Sequence, residues 1–466
     1  MLPVTSAANP FRGCHGQAQL VRAGLGTEAH GQPKVVRGTR QGILRLPLVF
    51  ACLVAILFLA GCDGASSTIS SDSNDISADT GAPDADIPTD SGGGKPPDAG
   101  VADAGSYPPL VPVTIPIDGQ VLYPVNLDGN AGPFLLVVDT GAVRTAVETT
   151  LLRNVQNGVG VITIDFGSGN VFSDYEVLAA DLTEAKDHIG ISIHGLIGQD
   201  IFSELYFGLD YRTSAAVVTE TAPEEAPPGF STEEGIVVPY VVDGNLGIPL
   251  VEARVGGKTA RLIADTGSGV TILTRSFVEP SLLDSGLSGY LWYTSYGSDP
   301  ATIVRITSID VGGAVAEGTW AVVVPDDHHL RPVFDALGVA VDGFLGYPFY
   351  RRFFTAIDVA AGRWEFYSYN DLPHVPAGEW DRVGVEIARE GGEVVIDMVF
   401  SPSDAEAKGV SAGDVLRAID GQGVEGKGLD DLRLELRGVP GETRTLVVSN
   451  EGVDREVEVS VDRLLP

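Results

Sequence analysis

The chain has 466 residues, with 30 Lys and Arg against 63 Asp and Glu and a formal net charge of -33. At roughly 150 residues per domain this length corresponds to about three domains, which excludes a single small binding module. The acidic balance argues against nucleic acid as a partner, because binding to phosphates relies on Lys and Arg. The 58 Gly and 29 Pro residues favour a loop-rich, mostly β protein.

The N-terminal region contains the three cysteines, Cys14, Cys52 and Cys62, so the rest of the chain has no disulfide framework. An apolar run at 46–60 follows several basic residues and ends in Leu-Ala-Gly-Cys62. This layout is typical of a signal peptide, and the run is short for a spanning helix of about 20 residues. Some 33 residues precede the basic region, so the true start codon is left open.

The end of this apolar run resembles the lipobox of bacterial lipoproteins. The resemblance implies that residues 1–61 are an extension plus signal peptide and that Cys62 is lipidated. It also implies a lipid-anchored location in the bacterial cell envelope, periplasmic or surface-exposed. A plain membrane anchor is the alternative.

Residues 62–109 contain mostly Ser, Asp, Ala, Gly, Thr and Pro, with almost no large apolar residue. Such a segment cannot bury enough apolar surface to offset the entropy of ordering, so we expect a disordered tether. Its aspartates, such as Asp84 and Asp86, lack the spacing of a calcium-binding loop.

The chain after the tether changes to short alternating apolar runs separated by turn residues, which predict β hairpins. This part contains an internal repeat. The apolar run that ends in Asp139-Thr-Gly is repeated before Asp265-Thr-Gly, 126 residues later, and the Gly-apolar-apolar-Gly element at 195–198 is repeated at 343–346. Two similar β lobes are therefore predicted.

The predicted first lobe covers 110–219, a linker covers 220–232, and the second lobe covers 233–372. The second lobe is longer by about 22 residues between its two repeated elements, and we expect the additional residues within 282–337. Residues 379–466 have a different pattern, with one helical run among several strands. They predict a separate small α+β domain.

Each of the two Asp-Thr-Gly sequences follows a strand of apolar residues, which would deliver a carboxylate to a tight loop. A third copy, Asp79-Thr80-Gly81, lies in the tether without a strand before it or a partner element after it. We therefore discount the third copy.

The region 111–370 resembles the aspartic peptidases, in particular retropepsin-like lobes. The resemblance implies a catalytic pair, Asp139 and Asp265, that activates water to hydrolyse peptide bonds. Supporting roles would fall to neighbouring loop residues: Thr140 and Thr266 would brace the pair by reciprocal hydrogen bonds, and Gly141, Gly267 and Ser268 would shape the loops.

Two carboxyl groups about 3 Å apart share one proton, so one acts as base and the other as acid. This chemistry requires no metal or other cofactor. Four adjacent candidate ligands, Asp326, Asp327, His328 and His329, cannot all converge on one ion from consecutive positions. A serine hydrolase is also disfavoured, since the chain lacks a Gly-x-Ser-x-Gly elbow.

Candidate flaps over the pair are 162–173 in the first lobe and 289–299 in the second. The second contains Tyr290, Tyr293 and Tyr296, which could cover a bound peptide, although an ordinary aromatic hairpin is an equal alternative. Arg144 follows the first aspartate loop closely enough to lower the pKa of the pair.

The C-terminal region resembles PDZ domains of the bacterial, protease-associated type, through residues 401–409 and 411–421. In that family an extended or C-terminal peptide adds as a strand beside a carboxylate-binding loop. The resemblance maps this loop to Arg382, Val383, Gly384 and Val385. The alternative is that this domain only packs on the lobes.

Together these features predict a lipid-tethered aspartic endopeptidase that acts on polypeptides, with a PDZ domain for substrate or partner peptides. The alternative is a catalytically inactive peptide-binding envelope lipoprotein. A third arrangement keeps the enzyme but pairs identical lobes between two chains. Membrane contact would occur through the lipid anchor only.

Overall fold

The computed structural model describes residues 107–465, except 118, 168, 183–190, 243, 295–296 and 370–378. The predicted signal peptide, Cys62 and the tether up to residue 106 lie outside the described residues. Within the described part of the chain, no helix has the length and apolar character needed to cross a membrane.

In its described residues, the first lobe consists mainly of β-strands, with a 3-10 turn at Thr149–Leu151. Its strands and short helix are Val111–Pro112 (β1), Leu122–Leu127 (β2), Asn130–Val138 (β3), Ala146–Glu148 (β4), Arg153–Gln156 (β5), Val159–Asp165 (β6), Val171–Ala180 (β7), Gly195–Ile197 (β8), Gln199–Phe202 (α1), Tyr206–Asp210 (β9) and Ala215–Thr219 (β10).

The second lobe follows a 3-10 turn at Thr232–Glu234. Its elements are Ile236–Pro239 (β11), Val241–Val242 (β12), Pro249–Val255 (β13), Lys258–Ala264 (β14), Ile272–Thr274 (β15), Pro280–Asp284 (α2), Leu287–Thr294 (β16), Gly297–Val311 (β17), Ala314–Val324 (β18), Arg331–Leu337 (α3), Gly343–Leu345 (β19), Tyr347–Tyr350 (α4), Phe353–Asp358 (β20) and Arg363–Ser368 (β21).

The two lobes have the same sheet topology. The first sheet has the order β2-β3-β8-β4-β7-β6-β5, and the second has the order β13-β14-β19-β15-β18-β17-β16 with β12 added at its edge. Successive side chains of a strand point to opposite faces of its sheet, so a strand with one face in the core alternates buried and exposed residues. Strand β13 (Pro249–Val255) shows this alternation from Val251 onward. The repeat in the sequence is therefore a repeat in the fold.

The second lobe owes much of its additional length to longer strands. Strand β16 has 8 residues against 4 in β5, and β17 has 15 against 7 in β6. These differences fall within 282–337, as expected.

A third sheet joins the lobes within one chain, with the order β1-β10-β9-β20-β21-β11. Its centre is the antiparallel pair β9 and β20, in which Leu209 lies opposite Thr355. All residues of these two central strands are buried. The lobes are thus paired intramolecularly, and the sheet fixes their relative orientation.

The C-terminal domain, residues 379–465, has two small sheets and two short helices. Its elements are Asp381–Arg382 (β22), Val385–Glu390 (β23), Glu393–Val399 (β24), Asp404–Ala407 (α5), Val415–Ile419 (β25), Gln422–Gly423 (β26), Leu429–Glu435 (α6), Thr443–Asn450 (β27), Val453–Ser460 (β28) and Asp462–Arg463 (β29). It has its own apolar core, which includes Ile387, Leu432 and Val448. Two related β lobes followed by a small α+β domain confirm the predicted fold class.

Candidate active site

The two Asp-Thr-Gly loops leave the carboxyl ends of buried strands. Strand β3 ends at Val138 and β14 ends at Ala264, directly before Asp139 and Asp265. Each strand is paired in parallel with the Gly-apolar-apolar-Gly element of its own lobe, β8 or β19. The two elements that repeat in the sequence are therefore neighbours in each half-site.

The threonines of the two loops exchange hydrogen bonds across the lobe interface. The Thr140 amide N–H donates to Thr266 Oγ1 at 3.1 Å, and the Thr266 amide donates to Thr140 Oγ1 at 3.0 Å. Each hydroxyl then donates to a carbonyl of the opposite lobe, Thr140 to Ala264 and Thr266 to Val138, both at 2.7 Å. This reciprocal set holds the two aspartate loops in one fixed register.

The glycines of the loops permit the close approach of the two aspartates. A Cβ on Gly141 would lie 2.6 Å from Cγ of Asp265, and a Cβ on Gly267 would lie 2.5 Å from Cγ of Asp139. Any side chain at either position would displace the opposite carboxyl group. The structure thus brings together all seven predicted residues of the pair and its supporting loops: Asp139, Thr140, Gly141, Asp265, Thr266, Gly267 and Ser268.

Both aspartates are buried, with exposed fractions of 1% for Asp139 and 0% for Asp265. Burial, and next the neighbouring Asp265 carboxylate, raise the pKa of Asp139 well above its ordinary value, although the backbone amides of Gly141 and Ala142 oppose this shift. Two adjacent buried carboxyl groups cannot both ionise readily. The pair is therefore suited to share one proton.

The two carboxyl groups differ in their hydrogen bonds. Asp265 Oδ1 accepts from the amides of Gly267 at 2.9 Å and Ser268 at 3.1 Å. Within the described residues, Asp139 Oδ1 is buried without a hydrogen-bond partner. The amides of Gly141 and Ala142 likewise lower the pKa of Asp139, so backbone donors stabilise the ionised form of either carboxylate, and the two aspartates share the proton as a pair.

Two side chains next to the Asp139 loop, Gln199 and Tyr240, were not predicted from the sequence to support the site. Gln199 Nε2 donates to the Thr140 carbonyl, and the Tyr240 hydroxyl donates to Gln199 Oε1 at 2.8 Å. The sequence signal was a departure from the repeat: Gln199 follows Gly198, whereas Tyr347 follows Gly346 in the second lobe. These side chains connect the first loop to the second lobe.

Gln120 is a second residue that sequence reasoning missed. It is fully buried, and neither its Oε1 nor its Nε2 has a hydrogen-bond partner in the described part of the protein. The register of β2 and β3 pairs Leu122 with Val137, and the Val138 amide donates to the Val121 carbonyl. Continuing this register places Gln120 opposite Asp139, so an unsatisfied amide group lies beside the Asp139 loop.

The predicted flap of the second lobe is a hairpin, formed by β16 and β17. Tyr290 is half-buried, Tyr293 is buried with 1% exposed, and Tyr296 lies outside the described residues. Burial and the Asp397 and Glu390 carboxylates raise the pKa of Tyr293. Tyr293 thus lies against the C-terminal domain.

The two predicted flap segments occupy different places in the repeat. By sheet order, the first-lobe equivalent of β16 and β17 is the hairpin of β5 and β6, whose tip is at Asn157 and Gly158. The predicted segment 162–173 instead spans the next turn, between β6 and β7, where Phe166 is buried. The sequence could not distinguish consecutive hairpins because no motif marks this part of the lobe.

The second-lobe hairpin is attached to the C-terminal domain by an antiparallel bridge. Ser288 and Ser401 exchange two backbone hydrogen bonds of 2.9 Å. Nearby, Asp397 is buried, and neither of its oxygens has a partner among the described residues. Burial and, next, the charges of Glu386 and Glu390 raise the pKa of Asp397 to about 7.

The predicted peptide-binding residues of the C-terminal domain lie at the start of β23. The Val383 amide donates to the Leu436 carbonyl, and the Gly384 carbonyl accepts from Phe400. Gly384 has a φ of 81°, and a Cβ there would lie 2.3 Å from Cβ of Ser403. Val385 is buried in the core of the domain.

The free edge of β23 is covered by arginine side chains. Arg382 Nη2 donates to the Val385 carbonyl at 2.8 Å, and Arg433 Nη2 donates to the Ile387 carbonyl at 3.3 Å. Both arginines also bind Glu386, at 2.7 and 2.9 Å. A peptide adding to this edge would have to displace these bonds. Peptide binding there stays a prediction.

Two other sequence candidates lie away from the aspartate pair. Arg144 donates to the Glu176 carbonyl at 3.0 Å, whereas the largest influences on the pKa of Asp139 are its own burial and the Asp265 carboxylate. His328 is buried beside Trp292, and burial lowers its pKa to about 4. In the part of the chain that the structure describes, no cluster of three or more potential ligands could hold a metal ion.

Comparison with known proteins identifies one family domain. Residues 251–349 match the model of the aspartyl protease family, a range that includes Asp265 and the 343–346 element. The chain therefore contains an aspartyl protease domain.

A region of the chain is similar to C-terminal processing proteases. It is 25% identical over 145 residues to the carboxy-terminal-processing protease of Bartonella bacilliformis, which is 31% of this chain and 30% of the relative. CtpB of Bacillus subtilis is 26% identical over 84 residues, 18% of each chain. The chain thus spans less than a third of the length of these curated relatives.

Two solved structures also match. The photosystem II D1 C-terminal processing protease is 28% identical, with 18% of this chain and 23% of that chain covered and a TM-score of 0.17. An aspartic proteinase from Irpex lacteus is 12% identical, with 56% and 97% covered and a TM-score of 0.38.

Proposed function

We propose that this chain, which contains an aspartyl protease domain, is an aspartic endopeptidase with one catalytic pair, Asp139 and Asp265. The observation that carries the proposal is the reciprocal hydrogen bonding of Thr140 and Thr266, which joins two buried Asp-Thr-Gly loops. A merely structural duplication would not require two carboxyl groups in contact in a buried site, where each disfavours ionisation of the other.

In the proposed reaction, written with Asp265 as the ionised member of the pair, Asp265 takes a proton from a water molecule as the water oxygen attacks the peptide carbonyl carbon. Asp139 donates its proton to the carbonyl oxygen, which gives a neutral tetrahedral diol. The proton held by Asp265 then passes to the departing nitrogen as the C–N bond breaks, and Asp139 recovers its proton from the diol. General acid and base catalysis of this kind contributes about 10²–10⁴-fold each.

The experiment that tests this proposal is cleavage of a peptide library in water enriched in oxygen-18, followed by mass spectrometry. One heavy oxygen enters each new carboxyl group whether water attacks directly or hydrolyses an acyl-enzyme, so the result expected for direct attack is this label together with no covalent adduct on the protein after acid quenching. A trapped acyl-enzyme would instead indicate a serine or cysteine nucleophile. A library left intact at acid and neutral pH would support the alternative of an inactive peptide-binding protein.

We further propose that the protein is lipid-tethered in the cell envelope through Cys62, and that the C-terminal domain, PDZ-like in sequence, holds substrate or partner peptides. The support for the tether is the sequence Leu-Ala-Gly-Cys62 after an apolar run. Metabolic labelling with a fatty acid tests it: label should be incorporated in the parent chain and lost in Cys62→Ala.

Gln120 offers a test of substrate contact. Its unsatisfied amide has one donor group and one acceptor, the complement of a peptide unit, so we propose that substrate backbone binds there. Replacing Gln120 by Met should raise stability by about 1–3 kcal/mol, because a buried unsatisfied group is removed. It should also raise KM for a peptide substrate while kcat stays near the parent value.

The matched control is Ile248→Met, since the register of β13 and β14 places Ile248 opposite Asp265. This change of apolar shape should cost less than about 1.5 kcal/mol and leave KM unchanged. Urea unfolding and steady-state kinetics provide both readouts. An unchanged KM in Gln120→Met would show that substrate does not use this amide.

The bridge between the second-lobe hairpin and the C-terminal domain leads us to expect that the hairpin separates from this domain when substrate enters. Directly opposed, hydrogen-bonded residues such as Ser288 and Ser401 have Cα atoms about 5.5 Å apart, within the range that a disulfide spans. We expect the double variant Ser288→Cys and Ser401→Cys to lose most cleavage of polypeptides when oxidised and to recover it on reduction.

The parent chain, treated with the same oxidant and reductant, is the control, since it has no cysteine after Cys62. Formation of the cross-link is verified by mass spectrometry. Full activity in the cross-linked form would mean that substrate entry requires no separation of the hairpin from the C-terminal domain.

A further inference from the structure

The second-lobe hairpin contacts the C-terminal domain along two strands, β16 and β24. Ser288 and Ser401 form a bridge at one end of this contact. Three positions further along on each side, the Leu291 amide donates to Sδ of Met398 at 3.3 Å. The hairpin and the domain therefore lie side by side as far as the residue next to Asp397.

Asp397 is a buried carboxyl group that the proposed reaction does not use. It is 6% exposed, and neither of its oxygens has a hydrogen-bond partner among the described residues. Burial, and next the Asp397 carboxylate, raise the pKa of Tyr293 in the hairpin, which places the two side chains near each other. The hairpin therefore contributes to the burial of Asp397.

The surroundings of Asp397 disfavour its ionised form. Burial is the main cause of its raised pKa, and the charges of Glu386 and Glu390 on β23 add to the effect. Arg433 on α6 opposes them, but its guanidinium group is already paired with Glu386 at 2.9 Å. An ionised Asp397 thus meets negative charge and no hydrogen-bond donor among the described residues.

The strand on the other side of β24 brings charges that have partners of their own. Arg417 of β25 pairs with Glu393 at 2.7 Å. Asp414, directly before β25, accepts from Arg455 at 3.1 Å. These pairs compensate the charges that β25 presents to its neighbour.

The hairpin side also contains a buried histidine, His328. Its ring packs against Trp292 of β16 and Phe334 of α3. Both contacts are inside the second lobe, so separation of the C-terminal domain leaves His328 buried. Its titration therefore does not affect the contact between the hairpin and the domain.

We propose that Asp397 is a proton-operated latch: its neutral form lets the C-terminal domain bind the second-lobe hairpin, and its ionisation releases the hairpin. A buried carboxylate without donors is strongly disfavoured, whereas the neutral acid costs far less. Separation of the two surfaces admits water to the carboxylate and removes this penalty. The latch concerns a contact between domains and does not depend on the proposed peptidase activity.

The pH dependence of the latch has a definite sign. In the released state the carboxyl group is solvated, with an ordinary pKa of 3.8, and in the bound state burial raises the pKa to about 7. A raised pKa contributes stability that is complete below the ordinary value and is lost as the pH rises. The contact should weaken by up to about tenfold per pH unit between pH 3.8 and about 7, and change little at higher pH.

Hydrogen exchange of the bridge amides measures this contact directly. The Ser288 and Ser401 amides donate to each other's carbonyl groups, so they exchange when the bridge opens. The full chain is exchanged between pH 5 and pH 8, and each rate is divided by the intrinsic rate of an unprotected amide at the same pH. We expect the protection of both amides to fall about tenfold to a hundredfold between pH 5 and pH 7, as measured by mass spectrometry with residue-level fragmentation.

Two sets of amides in the same samples serve as references. The amides of β25 and β27, neighbouring strands inside the C-terminal domain, should stay more protected than the bridge at every pH. This comparison distinguishes separation of the domain from its unfolding. The amides of β13 and β14 in the second lobe should show no change of this size.

Asp397→Asn is the main variant, because asparagine has the shape of aspartic acid and stays uncharged. Its bridge amides should keep nearly the same protection from pH 5 to pH 8. The control is Asp454→Asn, at an exposed position of β28, which should keep the pH dependence of the parent chain. If circular dichroism shows that Asp397→Asn does not fold, Asp397→Leu is the second variant, and it should be equally insensitive to pH.

Three outcomes would overturn the proposal. The first is bridge protection in the parent chain that does not change with pH after correction for intrinsic rates. The second is a parent-like pH dependence in a folded variant of Asp397. The third is an equal fall in the protection of β25 and β27, which would mean that the whole domain unfolds rather than separates.

Discussion

Asp139→Asn and Asp265→Asn are each expected to lower the rate of peptide cleavage by about 10²–10⁴-fold, the contribution of one general acid or base. Asparagine has the shape of aspartate but neither holds nor accepts the transferred proton. Because the pair shares one proton, replacing one carboxyl group by a neutral amide of the same shape should cost little stability. Initial rates on a library-derived peptide and thermal unfolding of the same samples separate catalysis from folding.

The chain contains a matched control, because Asp79-Thr80-Gly81 repeats the motif in the tether. Asp79→Asn should cleave at the parent rate. If Asp139→Asn cleaves peptides at the parent rate, Asp139 is not a member of a catalytic pair. If Asp79→Asn loses as much cleavage as Asp139→Asn, the loss has a cause unrelated to the buried loops.

Glu386→Gln is expected to lower the free energy of unfolding by about 3–5 kcal/mol at pH 7, because it removes the counter-charge of buried Arg382 and weakens that of buried Arg433, which also pairs with Asp430. The side chains of Arg382 and Arg433 are only 6% and 3% exposed. Urea unfolding monitored by circular dichroism measures the difference.

The pH dependence of this difference has a definite sign. Burial raises the pKa of Glu386, but the charges of Arg382 and Arg433 outweigh it and lower the pKa from 4.5 to about 2. A group with a depressed pKa contributes stability above its unfolded value. The advantage of the parent chain over Glu386→Gln should be complete above pH 4.5 and should disappear as the pH falls to about 2.

The comparison variant is Glu393→Gln, which breaks an exposed pair with Arg417 in the same domain, with side chains 51% and 45% exposed. Exposed pairs contribute about 0–1 kcal/mol, so little change is expected. A loss below about 1 kcal/mol in Glu386→Gln at pH 7 would show that the two arginines reach solvent or another anion.

Much of the site could be predicted because each half of it is local in the sequence. An apolar strand, a Gly-containing loop and a later Gly-apolar-apolar-Gly strand are short patterns, and their repetition marks both halves. The duplication also implied that Asp139 and Asp265 occupy equivalent positions, and their contact through Gly141 and Gly267 bears this out.

Long-range features could not be predicted in the same way. Gln120 is an ordinary polar residue at a strand start, and only the register with β3 places it opposite Asp139. The sheet order shows which hairpins are equivalent in the two lobes, and the sequence could not show this because strands β5 to β7 carry turn residues without a distinguishing motif. The Ser288–Ser401 bridge joins residues more than a hundred positions apart, and no pattern in either segment indicates the other.

The sheet shared by the two lobes has a consequence for biosynthesis. Strand β9 is complete once the first half of the chain has emerged, yet its partner β20 pairs Phe207 with Ile357 and is synthesised 150 residues later. During that interval a strand whose residues are all buried in the finished protein presents an open edge, which is a template for pairing with another chain. A second chain synthesised nearby could pair its own β20 with this edge. Synthesis of many chains close together would therefore favour dimers with exchanged lobes. Synthesis on well-separated ribosomes, or with a chaperone that covers the edge, would favour the monomer.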